Sequence, residues 1–143
     1  MIETASLQKY SLFGGLLKEQ IEKILPYISY AAFDAGTVII TEDKPNDSIY
    51  FLLEGSVEVS KNGKKIVDIP EGQTFGEMEL LDVMASVATV RAIGQVRTAI
   101  LSNRCIYGIH CLDTTIFSLM IMNLARDLSR RLRYMDTLVA GQA

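Results

Sequence analysis

Gly72-Gln73-Thr74-Phe75-Gly76-Glu77-Met78-Glu79-Leu80-Leu81, followed after a short loop by Ala85-Ser86-Val87-Ala88-Thr89-Val90-Arg91-Ala92, is the stretch of this chain that carries chemistry. Its order is glycine turn, one helical turn, loop, strand. Gly76 gives the backbone freedom to come close to a ligand. The turn over 77–81 leaves N–H groups free at its start, an arrangement whose dipole favours an anion. Glu77 can accept hydrogen bonds from a sugar hydroxyl.

Upstream and downstream of this stretch lie short apolar runs rich in β-branched and aromatic residues. Residues 37–40, 49–53, 57–59 and 65–69 read as strands, as do 86–93 and 95–102, hinged at Gly94. Asp34-Ala35-Gly36, Pro45-Asn46-Asp47, Glu54-Gly55 and Asn62-Gly63 separate the first runs. Asn62-Gly63 is the strongest hairpin signal, because both residue types accept the positive φ of a type I′ turn. Many short strands with regular turns predict a mainly β fold, a roll or sandwich.

Helices flank the strands. Leu17, Ile21, Ile24, Leu25 and Ile28 fall at helical spacing among charged residues, and Pro26 ends regular helix near Leu25. Asp113 is the expected N-cap of a long amphipathic run. Along that run Phe117, Ile121, Leu124, Leu128, Leu132, Met135 and Val139 step by fours and threes, close to a coiled-coil seam. Folding of the same stripe back onto the β-roll is the competing reading. Arg126, Arg130, Arg131 and Arg133 lie between the apolar steps and are expected to face water, while Met120, Met122 and Met135 suit helix packing.

The totals bound what such a chain can do. With 143 residues, 49% hydrophobic and 22% charged, it fits one domain with a real core. A net charge of −3 gives no basic footprint for nucleic acid. Cys105 and Cys111 are too few for a disulfide framework and read as reduced thiols of a cytoplasmic protein. No signal peptide opens the chain, and no apolar stretch approaches the roughly 20 residues that span a bilayer. His110 with Cys105 and Cys111 makes a poor zinc set, so no metal is expected.

Several motifs in order resemble the cyclic-nucleotide-binding domains, of the catabolite activator protein and protein kinase A regulatory subunit type. That family's phosphate-binding cassette reads roughly Phe-Gly-Glu-Leu-Ala-Leu, a short loop, then Pro-Arg-Ala-Ala-Thr-Val. Here stand Phe75-Gly76-Glu77-Met78-Glu79-Leu80 and Ala85-Ser86-Val87-Ala88-Thr89-Val90. Ala35-Gly36-Thr37-Val38-Ile39, Asp47-Ser48-Ile49-Tyr50-Phe51 and Gly55-Ser56-Val57-Glu58-Val59 are similar to the family's first strands, so the likeness covers about residues 12–132. It implies a double-stranded β-helix, a jelly-roll-like β-roll over 31–102. An N-terminal helical segment (1–30), a short cassette helix and C-terminal helices (103–143) would complete a single domain.

The resemblance also implies a site. Phe75, Gly76, Glu77, Met78, Glu79, Ser86 and Val87 occupy the family's ligand positions, with Glu77 at the ribose 2′-hydroxyl. Tyr134 and Met135 fall where the C-terminal helix can cover a base. Phe117, Ile121, Leu124, Leu128, Leu132 and Met135 would form a homodimer interface. Two departures fall on functional positions: Ser86 replaces the phosphate-binding arginine and Glu79 replaces the alanine beside the phosphate. A hydrogen bond to a charged group contributes about 1.5–3 kcal/mol. Losing a bidentate arginine therefore weakens phosphate binding about ten- to several-hundred-fold. Arg91 does not replace it, since Ser86, Ala88 and Val90 share one strand face and Arg91 lies on the other. The family's usual glycines at Asp43 and Asn46 are replaced by the residue types that best tolerate left-handed backbone.

The expectation is a regulatory ligand-binding module with a degenerate cassette and weak or lost cyclic nucleotide affinity, and with no cofactor. A genuine cAMP or cGMP sensor acting through the C-terminal helix, and a dimerisation or protein-interaction module with an empty pocket, are the alternatives. An enzyme is not expected: a cupin-like metal site uses several histidines, and this chain has one. Activator relatives carry a helix-turn-helix after the long helix, so this stretch by itself is not expected to bind nucleic acid directly, while in a longer chain the further part would decide the output; no membrane partner is expected.

Overall fold

Two long strands organise the molecule: β3 (Ser48–Lys61) and β6 (Thr89–Ser102), paired antiparallel from Ser48↔Ser102 to Ser60↔Thr89. The computed structural model describes residues 4–82 and 84–141. Each long strand was expected as two short ones, broken at Glu54-Gly55 and hinged at Gly94. Both stay continuous because the irregularity is absorbed in place. The register shifts at Leu52/Glu54 and Glu54/Ser56 while Gly55 and Gly94 take φ of +85° and +68°. The strands bend rather than end. On β6, the predicted start at Ser86 moves to Thr89.

The remaining strands are β1 (Ser29–Phe33), β2 (Val38–Ile40), β4 (Lys64–Ile69) and β5 (Thr74–Phe75). The order is β1-β6-β3-β4, with β2 also on β6 and β5 on β3, all antiparallel. This is an antiparallel β-roll, as the sequence predicts. Asn62 and Gly63 take φ of +53° and +76°, and Lys61 pairs with Lys64 across the predicted turn. β1 was not foreseen: Ser29-Tyr30-Ala31-Ala32-Phe33 has no β-branched residue, and pairing with Val96 to Ile100 on β6 sets its conformation.

The helices are α1 (Thr4–Leu7), α2 (Lys18–Ile24), α3 (Glu77–Asp82), α4 (Asn103–Leu112) and α5 (Thr114–Gly141). Pro26 sits in a 3-10 turn, Leu25–Tyr27, just past α2, as its backbone restriction requires. Asp113 caps α5 as predicted, its Oδ1 accepting the N–H of Thr115 at 3.0 Å and of Ile116 at 3.1 Å.

One apolar cluster joins helices to sheet, with Phe13, Ile21, Phe51, Ile109, Ile116 and Met120 at its centre. A second fills the roll, around Leu52, Val57, Phe75, Val90 and Val96. The first half of α5 belongs to the former cluster. Asn123 fixes it further, its Nδ2 donating to the carbonyls of Leu12 at 3.0 Å and Gly14 at 2.8 Å. The expected seam therefore divides. Leu124 is buried in the chain's own core, and the partly buried Phe117 packs against that core. Leu132, Met135 and Val139 are exposed, and every residue of 129–141 is exposed.

Candidate functional site

A cavity of about 520 Å³ opens between the cassette, the β4 strand, the start of β6 and the far half of α5. Its floor is the inner apolar cluster, through Ile40, Phe75 and Val90. Phe75, Gly76, Glu77, Met78, Glu79 and Val87 line it. Ser86 is the exception. Among the described residues the lining includes Val87 and Ala88 on that segment, while the Ser86 hydroxyl is buried with no hydrogen-bond partner. The backbone of Ser86 is held by the preceding loop: its carbonyl accepts from Asp43 and its N–H donates to Lys44.

That loop meets one expectation and corrects another. Asp43 takes the left-handed backbone foreseen for it, with φ of +66°. Asn46 does not. It works through its side chain, whose Nδ2 donates to the Ser48 carbonyl at 2.9 Å and the Gly76 carbonyl at 3.2 Å. Gly76 also differs from its expected purpose. A Cβ there would lie 2.5 Å from the Ser48 carbonyl oxygen and 3.0 Å from Asn46 Nδ2, with φ at +89°. The glycine allows the cassette to seat on β3 and its loop, and it is this chain's own backbone that approaches closely.

The electrostatics of the cavity are those of carboxylates. Glu77 and Glu79 are 3% and 7% exposed, so both are buried acids. Both sit in the first turn of α3, where their charges already satisfy the positive end of a six-residue helix. Arg131, read from the sequence as one of four water-facing arginines, reaches the cavity from α5 and forms an ion pair with Glu77. Burial pulls its pKa below the usual arginine value. Helical spacing puts Arg131 one turn before Met135 on one face, but the acid it pairs with lies on another element. The other Glu77 oxygen, Oε2, is buried with no hydrogen-bond partner.

Met135 lines the cavity, and Tyr134 lines an apolar groove beside it that shares Met78, Arg131 and Met135. Arg91 is exposed and donates to the Gly36 carbonyl at 2.8 Å, away from the cassette. His110 stacks on Tyr107 and meets Phe117 edge-on, and both cysteines are free thiols. Among the described residues no group of three His, Cys, Asp or Glu could hold a metal ion, and no helix is long and apolar enough to cross a membrane.

The cavity thus lies at the end of a β-roll, behind a Phe-Gly-Glu turn and beside a long C-terminal helix. The chain belongs to the cyclic nucleotide-binding domain family, whose pattern matches residues 31–109. It is 29% identical over 100 residues to a cAMP-dependent protein kinase regulatory subunit of Schizosaccharomyces pombe, covering 69% of this chain and 24% of that protein. It is 32% identical over 95 residues to the human cGMP-dependent protein kinase 2, covering 66% of this chain and 12% of that protein. The chain thus spans a quarter or less of these two relatives. Among solved structures, a cyclic nucleotide-binding domain from Methylobacillus flagellatus superposes with a TM-score of 0.85 at 23% identity, covering 99% of this chain and 82% of that one. The catabolite activator protein of Thermus thermophilus gives 0.80 at 25% identity, covering 91% and 62%. Domains of this family are typically regulatory and non-catalytic.

Proposed function

We propose that this chain is a regulatory ligand-binding module whose degenerate cassette leaves weak or no affinity for cyclic nucleotides. One observation carries the reading: among the described residues, Arg131 is the only cation lining the cavity, and it is already paired with Glu77. A cyclic phosphate placed there meets the buried acids Glu77 and Glu79, with a buried serine where the family has its arginine. Like charge and missing cation both oppose the anion. Thermal unfolding against cAMP and cGMP tests this. No rise is expected at micromolar nucleotide, and a concentration-dependent rise there sinks the reading.

The output side of the module is the far half of α5. Leu132, Met135, Leu138 and Val139 are 67%, 54%, 42% and 66% exposed, an apolar face on a helix whose near half is anchored. Pairing of this half with a second copy is the assembly we propose, over a shorter seam than the sequence suggests. Ligand occupancy would act on it only through unequal affinity for two helix positions. Sedimentation at increasing concentration should show a monomer–dimer shift, and a mass that stays monomeric removes the dimer.

A further inference from the structure

We infer that a second pocket, across the Tyr50–Phe75 stack from the cassette cavity, takes a small zwitterion of the amino-acid type, its carboxylate on Lys44 and its ammonium on Asp47. The pocket lies at the loop between β2 and β3 and has a volume of about 390 Å³. Tyr50 lines it and stacks on Phe75, with ring centroids 4.9 Å apart and planes 4° apart, while Phe75 lines the cassette cavity. Among the described residues Ile40 alone belongs to both linings, so this inference does not depend on the nucleotide reading.

Lys44 and Asp47 are the charged lining residues of this pocket among those described, one of each sign. They do not pair with each other, and among the described residues neither has an ion-pair partner elsewhere. Asp47 Oδ1 accepts the Ser48 hydroxyl at 2.9 Å, which leaves its other oxygen open to a donor. The backbone holds the two charges in place. The Lys44 N–H donates to the Thr41 carbonyl at 3.2 Å, and the Lys44 carbonyl accepts from Ser86 at 2.9 Å. The Asp47 carbonyl accepts from Asn103 at 2.7 Å. A loop fixed at both charges is preorganised for a ligand that bridges them. A molecule with both signs satisfies both residues, whereas a simple anion meets Asp47 and a simple cation meets Lys44 as like charges. Burial, then the Asp47 charge, raise the Tyr50 pKa above its ordinary value, so its hydroxyl stays a donor for the carboxylate. Ile39, Pro45 and the Tyr50 ring offer apolar surface to a side chain.

Leucine, 3-methylbutylamine and 4-methylpentanoate share one apolar body and differ in charge, and each is titrated into the full chain with amide shifts read by NMR. Leucine should move the resonances of Thr41, Lys44, Asp47 and Tyr50, at least about tenfold more tightly than either analogue, since each analogue forfeits one charge-assisted hydrogen bond. Lys44→Met and Asp47→Asn, both at exposed side chains, should each lower leucine affinity about tenfold. The wild-type ranking stands without either variant. An analogue binding as tightly as leucine, leucine affinity unchanged in both variants, or no shift at these amides at about 10 mM leucine overturns the inference. Leucine shifts confined to Glu77 and Met135 overturn it as well, because they place the ligand in the other cavity.

Discussion

Arg131 on α5 forms an ion pair with Glu77, the first residue of α3, and so ties the exposed half of the last helix to the cassette. Among the described residues, no other side-chain hydrogen bond or ion pair of 129–141 reaches beyond α5 itself. Sequence-distant elements are thus coupled through one carboxylate that also lines the cavity.

Removing that tie should loosen the helix end. Breaking a buried ion pair costs about 3–5 kcal/mol, but Arg131 is half exposed, and solvent screening brings the expected loss for Arg131→Leu to about 1 kcal/mol. Amide exchange over 129–141 should accelerate, with 116–124 unchanged. Unaltered exchange in the far half would mean that the pair does not hold it.

Gly76→Ala should cost about 1–3 kcal/mol, from positive φ alone, plus the displacement of Asn46 and of the Ser48 carbonyl. The midpoint of urea unfolding reads this. A near-neutral result would show that the cassette seats on β3 with room to spare.

The near half of α5 is held by Asn123. Asn123→Ala leaves the Leu12 and Gly14 carbonyls without their shared donor and should destabilise by about 1–3 kcal/mol. The same variant should leave ligand titrations unchanged, because Asn123 is not part of the cavity lining. A loss confined to ligand response would contradict this assignment.

Tyr10 gives a pH signature. Its hydroxyl donates to the Leu52 carbonyl at 2.6 Å, and burial, then the nearby Glu71 charge, raise its pKa above 10.0. The unfolded tyrosine ionises first, so this contribution is intact below pH 10.0 and declines as pH rises through the folded value. Tyr10→Phe should cost about 1 kcal/mol at neutral pH and flatten the alkaline decline. It should flatten it only in part, because burial and Asp47 raise Tyr50 in the same direction. An unchanged alkaline slope would exclude Tyr10 as a contributor.

Much of this was legible in the residues because it is local. Asn62-Gly63, Asp113 and Pro26 each act on their own backbone, and the structure uses all three as their chemistry dictates. What escaped the sequence depends on partners far along the chain. Gly55 reads as a break until its close fit against Gln95 and Val96 is seen. Asn46 reads as a turn residue until Gly76 is placed beside it. The periodicity of α5 is uniform, yet the N-terminal segment covers only its first half, so one stripe becomes core and then surface. Arg131 was hidden for the same reason: its acidic partner lies on another element.

The most direct test is a calorimetric titration of cAMP into the wild-type chain and into the Glu79→Ala, Ser86→Arg double variant. Removing the acid and supplying the cation should raise affinity by about ten- to several-hundred-fold, from a wild type that shows no binding in the low micromolar range. Low-micromolar or tighter binding by the wild type would contradict the account at its centre.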